Sequence, residues 1–209
     1  MSGPVRGPVT VVAIDGPGGA GKSTVAHRLA ARTGLAHLDT GAMYRALTWA
    51  VLEAGIDPQD AEAVTAVGRE ADLSLTDGAA QVAINGHDVT EVIRGPEVSG
   101  AVSAVSAHPG VREEMVLRQR QWVADRGGAV VEGRDIGSVV FPAAALKVYL
   151  TASEAERRRR RHGEADLARR DRQDSTRAVS PLTVADGSLV IDTTDLGVEE
   201  IVDRLMSAL

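Results

Sequence analysis

The chain has 209 residues, a net charge of −6, 44% hydrophobic but only 2% aromatic residues, and no cysteine. That excludes a disulfide framework, a thiolate zinc site and a thiol nucleophile, and it argues against general nucleic-acid binding, which needs a cationic surface. The length suits one α/β domain with a small insertion, its core built from Val, Leu, Ile and Ala. No apolar stretch approaches the roughly 20 residues of a membrane span, and the first residues lack a basic-then-apolar leader. The expected setting is the cytoplasm, and the expected state a monomer.

Val9 to Ile14 is an apolar, β-branched run that predicts a strand. Gly16, Pro17, Gly18, Gly19, Ala20, Gly21, Lys22 and Ser23 then match G-x-x-x-x-G-K-[ST], and the segment up to Thr33 has helical spacing. Strand, glycine-rich loop and helix in this order are what a phosphate-binding P-loop requires; a glycine-rich turn that binds nothing is the alternative. The glycines let backbone N–H groups approach a polyphosphate, and the helix N-terminus adds partial positive charge. Lys22 would reach the β- and γ-phosphates, and the Ser23 hydroxyl would ligate Mg²⁺. The chain holds 21 Arg and only two Lys, Lys22 and Lys147. A Lys kept at this position in so Arg-rich a background suits the compact charge a γ-phosphate needs.

A short strand is expected at 35–38. Asp39-Thr40-Gly41 then opens a helix to about Glu53, with Thr40 as its cap and Arg45 one turn in, either reaching an anion or simply exposed. A break at 57–60 precedes a helix over 61–70. Asp72 to Leu75 and Ala80 to Ile84 alternate as strands, and Asn85-Gly86 after them signals a hairpin. Residues 61–95 therefore read as a small α+β insertion. Helices over 97–107 and 111–126 lead to strands at 129–131, 147–150 and 188–191 and a final helix over 198–209. Ser153 and Glu156 are spaced as a capping box for an Arg-rich helix. Strands alternating with helices predict a parallel sheet covered on both faces, with ligands at the carboxyl ends of the strands.

Two further clusters stand out. Glu132-Gly133-Arg134-Asp135-Ile136-Gly137 leaves a buried strand, where charges cost desolvation unless a ligand or a structural Arg–Asp pair offsets them. Residues 154–177 contain nine Arg. Arg157 to Arg161 read as a solvated face, whereas Arg170, Asp174 and Arg177 are spaced to share one helical face, suiting a lid that clamps phosphates. There is no Asn-Lys-x-Asp guanine motif and no apolar strand ending in a water-activating acid. A P-loop, an Arg-rich lid and a second Arg-bearing pocket describe transfer between two small phosphorylated molecules. A different small-molecule kinase or a non-catalytic ATP-binding regulator are the rivals.

Asp15 to Ser23, Asp39 to Arg45, Gly133 to Gly137 and Asp174 to Leu182, occurring in that order, resemble bacterial cytidylate kinases over nearly the whole chain. The resemblance implies an adenylate-kinase-like core of five parallel strands, spanning 1–60 and 96–209. It also implies an NMP-binding insertion at 61–95 and a lid at 153–177. It implies MgATP as phosphoryl donor and CMP or dCMP as acceptor. By matching position, Gly16, Gly19, Gly21, Lys22, Ser23 and Thr24 are P-loop residues. Thr40, Arg45 and Arg134 hold the CMP phosphate; Ser103, Arg112 and Asp135 read cytosine. Arg170 and Asp174 contact ribose, and Arg177 is a lid arginine near the phosphates, so that Lys22, Arg134, Arg170 and Arg177 form the charge-neutralising set. Between Arg161 and Arg169 the lid is shorter than in those relatives.

Overall fold

The computed structural model describes residues 9–160 and 182–209. In chain order the elements are β1 (Thr10–Asp15), α1 (Lys22–Thr33), β2 (Ala36–Asp39), α2 (Thr40–Glu53), α3 (Ala61–Glu70), β3 (Leu73–Leu75), β4 (Val82–Ile84), β5 (His87–Asp88), α4 (Pro96–Val105), α5 (Pro109–Arg126), β6 (Gly128–Gly133), β7 (Leu146–Thr151), α6 (Glu154–Arg160), β8 (Leu189–Asp192) and α7 (Val198–Ala208). Five strands pair in the order β2-β6-β1-β7-β8, every pairing parallel, as the alternation of elements predicts.

Both faces of β1 are apolar because both are covered. Val11 and Ala13 pack toward α2, α4 and α5, while Val12 and Ile14 pack with Val25 and Leu29 of α1 and Ile201 and Leu205 of α7. Each fully buried aliphatic side chain contributes about 1.5–3 kcal/mol, so this aromatic-poor core holds by number rather than by size. Register then decides where the chemistry sits. Asp15 lies opposite Gly133, and Asp39 opposite Glu132, so the chain leaves β1, β2 and β6 at one shared carboxyl edge.

Between α3 and α4 the chain forms an antiparallel β3-β4-β5 sheet. Its hairpin turns at Asn85 (φ 52) and Gly86 (φ 79), the paired positive φ of a type I′ turn. β4 begins at Val82 rather than Ala80, because residues 77–79 form a 3₁₀ turn that takes up the chain before it. Both tryptophans touch this insertion. Trp122 of α5 donates its indole N–H to Leu75 O at 3.1 Å, and Trp49 of α2 lies 5.7 Å from the His87 ring.

Two caps differ from expectation. Asp39, not Thr40, caps α2, its Oδ1 accepting from the Ala42 N–H at 3.1 Å. The Thr40 hydroxyl is turned instead toward Glu132 O at 2.7 Å. At α6 only half of the capping box forms: Ser153 Oγ accepts from the Glu156 N–H, but the Glu156 carboxylate pairs with Arg159 and Arg160. The Ser153 N–H goes to Thr194 Oγ1.

Gly16 ends β1 at φ +146, and a Cβ there would stand 2.0 Å from Leu150 O on the neighbouring strand. Gly16→Ala is therefore expected to lower the unfolding free energy by about 3 kcal/mol, read as a shifted denaturant midpoint at unchanged slope.

Candidate active site

The P-loop is closed from within and from above. Lys22 Nζ donates to Pro17 O at 2.9 Å, curling over the loop. From above, α6 sits on it: Arg157 donates to Gly18 O at 3.2 Å and Arg160 to Gly19 O at 3.4 Å. A Cβ on Gly19 would come within 2.8 Å of Arg157 O, so only glycine lets α6 approach this closely. Arg160 also bonds Thr193 through its hydroxyl (2.9 Å) and its carbonyl (2.7 Å). The solvated face expected of this Arg run is thus half right. Arg158 and Arg159 are exposed, but Arg157 and Arg160 belong to the P-loop; Arg161 lies outside the described residues.

The sequence pattern places no water-activating acid at the end of an apolar strand, yet a carboxylate stands there. β6 does end in a carboxylate, Glu132, only 4% exposed. Its Oε2 accepts from the Ser23 hydroxyl at 2.8 Å, and its Oε1 lies 3.0 Å from His37 Nε2. Asp39 stands beside it at the end of β2. Burial first, then the charge of Glu132, push the Asp39 carboxyl above its usual range.

At the end of β1, Asp15 clamps the turn that follows β6. Its two oxygens accept from the Ile136 and Gly137 N–H groups, each at 2.7 Å. Burial pushes its carboxyl up to about 6 despite those two donors, with Asp135 adding to the shift and Lys22 opposing it. The clamped turn presents Arg134 and Asp135. Asp135 forms an ion pair with Arg112 of α5, both side chains under a tenth exposed, and the Arg112 guanidinium sits 5.6 Å over the Tyr44 ring. Arg112 Nη1 donates to Ser106 O, while its buried Nε has no hydrogen-bond partner among the described residues.

These groups surround one cleft of about 430 Å³. The P-loop side contributes Gly18, Lys22, Ser23 and Arg160; β2 and α2 contribute Asp39, Thr40 and Arg45; the far wall is Ser103, Arg112, Arg134 and Asp135, with Glu132 between. Arg45 is held by Ile93 O (3.0 Å) and Ser99 Oγ (2.9 Å). Gly16, Pro17, Gly19, Ala20, Gly21 and Thr24 shape the loop and first helical turn without lining the cleft. Arg170, Asp174 and Arg177 lie outside the described residues.

A family profile described as cytidylate kinase matches residues 12–209. The chain belongs to the cytidylate kinase family. It is 48% identical to a cytidylate kinase of Geobacillus kaustophilus, over 93% of this chain and 94% of that protein. It is 51% identical to a bifunctional pantoate ligase/cytidylate kinase of Synechococcus sp. (strain WH7803), but there 93% of this chain spans only 43% of the relative's length. Among solved structures, a shikimate kinase from Acinetobacter baumannii aligns over 95% of this chain and 92% of its own at a TM-score of 0.50 and 14% identity, a likeness of fold alone.

The oxygen donors gathered where Ser23 meets Glu132 fit a small hard cation. Ser23, Glu132 and Asp39 offer hydroxyl and carboxylate oxygens, and burial, with the charge of Glu132 adding to it, holds the Asp39 carboxyl above its usual range.

Asp15 supplies a pH test of this edge. Its carboxyl titrates near 3.8 when unfolded and near 6 in the fold. The stability it contributes is complete below the lower value and lost as pH rises through the upper one. The unfolding free energy of wild type minus that of Asp15→Asn should therefore fall across this window by up to about 3 kcal/mol, measured by denaturant titration at fixed pH. A flat difference would mean that the clamp does not titrate.

Proposed function

We propose that the protein transfers the γ-phosphoryl group of MgATP to CMP or dCMP, giving ADP and CDP or dCDP. The observation that carries this is the meeting, in one cleft, of a P-loop with a second cationic wall bearing a buried Arg–Asp pair. A regulator that only bound ATP would have no use for that wall. The net charge of −6 supports small-molecule substrates over nucleic acid, and a cysteine-free chain suits a reducing cytoplasm.

The donor triphosphate lies on the P-loop, where Lys22 exchanges Pro17 O for a phosphate oxygen. Ser23, Glu132 and Asp39 would hold Mg²⁺, which when bound neutralises charge between the β- and γ-phosphates. Thr40, Arg45 and Arg134 fix the acceptor phosphate. An acceptor oxygen attacks the γ-phosphorus in line as the bond to the β-bridging oxygen breaks and ADP leaves. No strong general base is needed, since a phosphate monoester is ionised near pH 7. The chain's work is positioning, charge neutralisation and exclusion of water. Residues 61–95 act as the NMP-binding insertion, supported by Ile93 and Arg94 in the cleft wall. Arg170, Asp174 and Arg177 are assigned to ribose and lid contacts on the family resemblance.

Cytosine carries an amino donor beside acceptors at N3 and O2, and uracil reverses the amino and N3 positions. Asp135 matches the amino group, and Arg112, whose Nε lacks a partner among the described residues, matches the acceptors, with Ser103 assisting. Opposing each group with its like would cost about 1–3 kcal/mol.

Three measurements test this. A coupled assay with ATP and each of the four ribonucleoside monophosphates should give its highest kcat/KM with CMP; ADP release that ignores the acceptor would overturn transfer. Lys22→Ala should cut kcat about 10³-fold with an unchanged melting curve. Asp135→Asn should narrow the CMP-over-UMP ratio of kcat/KM about tenfold or more. Because that change also strips Arg112 of its buried partner, it should destabilise the fold by about 3 kcal/mol. Lost stability with an unchanged ratio would assign Asp135 to holding Arg112 alone.

A further inference from the structure

One buried side chain reaches the phosphate end of the cleft without lining it. His37, on β2, is 4% exposed, and its Nε2 sits 3.0 Å from Glu132 Oε1. The other oxygen of that carboxylate takes the Ser23 hydroxyl at 2.8 Å. A carboxylate only accepts, so the proton of this hydrogen bond is on Nε2. His37 Nδ1 is buried with no hydrogen-bond partner among the described residues. The Nε2–H is thus the ring's one polar contact among the described residues, and it is spent on Glu132.

The backbone of His37 is also tied to the insertion. The His37 backbone N–H donates to Asp77 Oδ1 at 2.5 Å. Gly78, at φ +64, lies beside Nδ1, where an added Cβ would meet it at ordinary contact distance, 3.4 Å. The 3₁₀ turn of the insertion thereby holds His37 from one side, while Glu132 holds it from the other.

We propose that His37 is a positioning residue for the nucleotide's divalent cation: by fixing one oxygen of Glu132 it aims the other, and with it the Ser23 hydroxyl, at the metal. This rests on the MgATP reading above. The physical lever is general. Groups that ligate a metal are themselves oriented by outer hydrogen bonds, whose loss costs about 10- to 100-fold in affinity or activity. Leucine at position 37 would fill the space but donate nothing; glutamine would bring a terminal N–H toward the place of Nε2.

The test uses ADP, so that binding is read without turnover. Calorimetry gives the dissociation constant of ADP with and without Mg²⁺, and their ratio is the gain due to the metal. His37→Leu should reduce that gain about tenfold, while His37→Gln should keep it within about twofold of wild type. A gain that His37→Leu leaves intact would overturn the role of His37, and so would an equal loss in both variants, which would mark packing alone. A wild-type affinity indifferent to Mg²⁺ would overturn the MgATP reading, and this proposal with it. Nitrogen-15 NMR of the wild-type imidazole decides the matter even where a variant fails to fold. The proposal requires a protonated Nε2 whose resonance moves when Mg²⁺ joins the ADP complex. A neutral ring protonated at Nδ1, or a resonance blind to Mg²⁺, would overturn it.

Discussion

Four carboxylates crowd the carboxyl edge of a single parallel sheet: Asp15, Asp39, Glu132 and Asp135. Each sits in or beside the last residues of a strand, where water is largely excluded and a charge must meet a fixed donor. Asp15 meets two backbone N–H groups, Asp39 the first turn of α2, Glu132 a hydroxyl and an imidazole, and Asp135 a guanidinium. These pairings fix the P-loop, the start of α2, the turn after β6 and the wall formed by α5. Take away the acids and the loops above the sheet have no common anchor.

The arrangement explains why both ends of the cleft stay in register. β1 continues directly into the P-loop, and its last side chain clamps the turn carrying Arg134 and Asp135. β6 supplies Glu132 to Ser23 and, three residues later, Asp135 to Arg112. Both walls of the cleft thus grow from the carboxyl ends of two adjacent parallel strands, paired residue by residue from Thr10 with Gly128 to Asp15 with Gly133. A shift of one wall relative to the other would require slippage of a buried parallel pair, which period-two side-chain packing on both faces opposes.

Local signals were legible in the sequence because their physics is local. The strand–glycine loop–helix unit, the Asn85-Gly86 hairpin and the aliphatic strands each declare themselves within a dozen residues, and all appear in the fold. What escaped depends on distance along the chain. Glu132 and Ser23 are 109 residues apart, His37 and Glu132 are 95, and Arg157 and Gly18 are 139. Nothing in a run of arginines says which of them will fold back on a loop that far away. Even the α2 cap was misread for this reason. Asp39 and Thr40 are both good caps, and the choice fell to Asp39 because Glu132 O claims the Thr40 hydroxyl.

The scarcity of aromatic residues has an optical consequence. Only two tryptophans are present in the chain. One is bonded to β3 and the other lies beside β5, both in the insertion, and neither lines the cleft. Their emission therefore reports on the seating of the insertion against α2 and α5, with no indole at the P-loop to confuse the signal. Trp122, lying 3.7 Å under the Arg126 guanidinium, carries a cation against its ring that tunes its colour. Without any added label, the chain contains a fluorophore pair on α2 and α5 that faces the small β3-β4-β5 sheet.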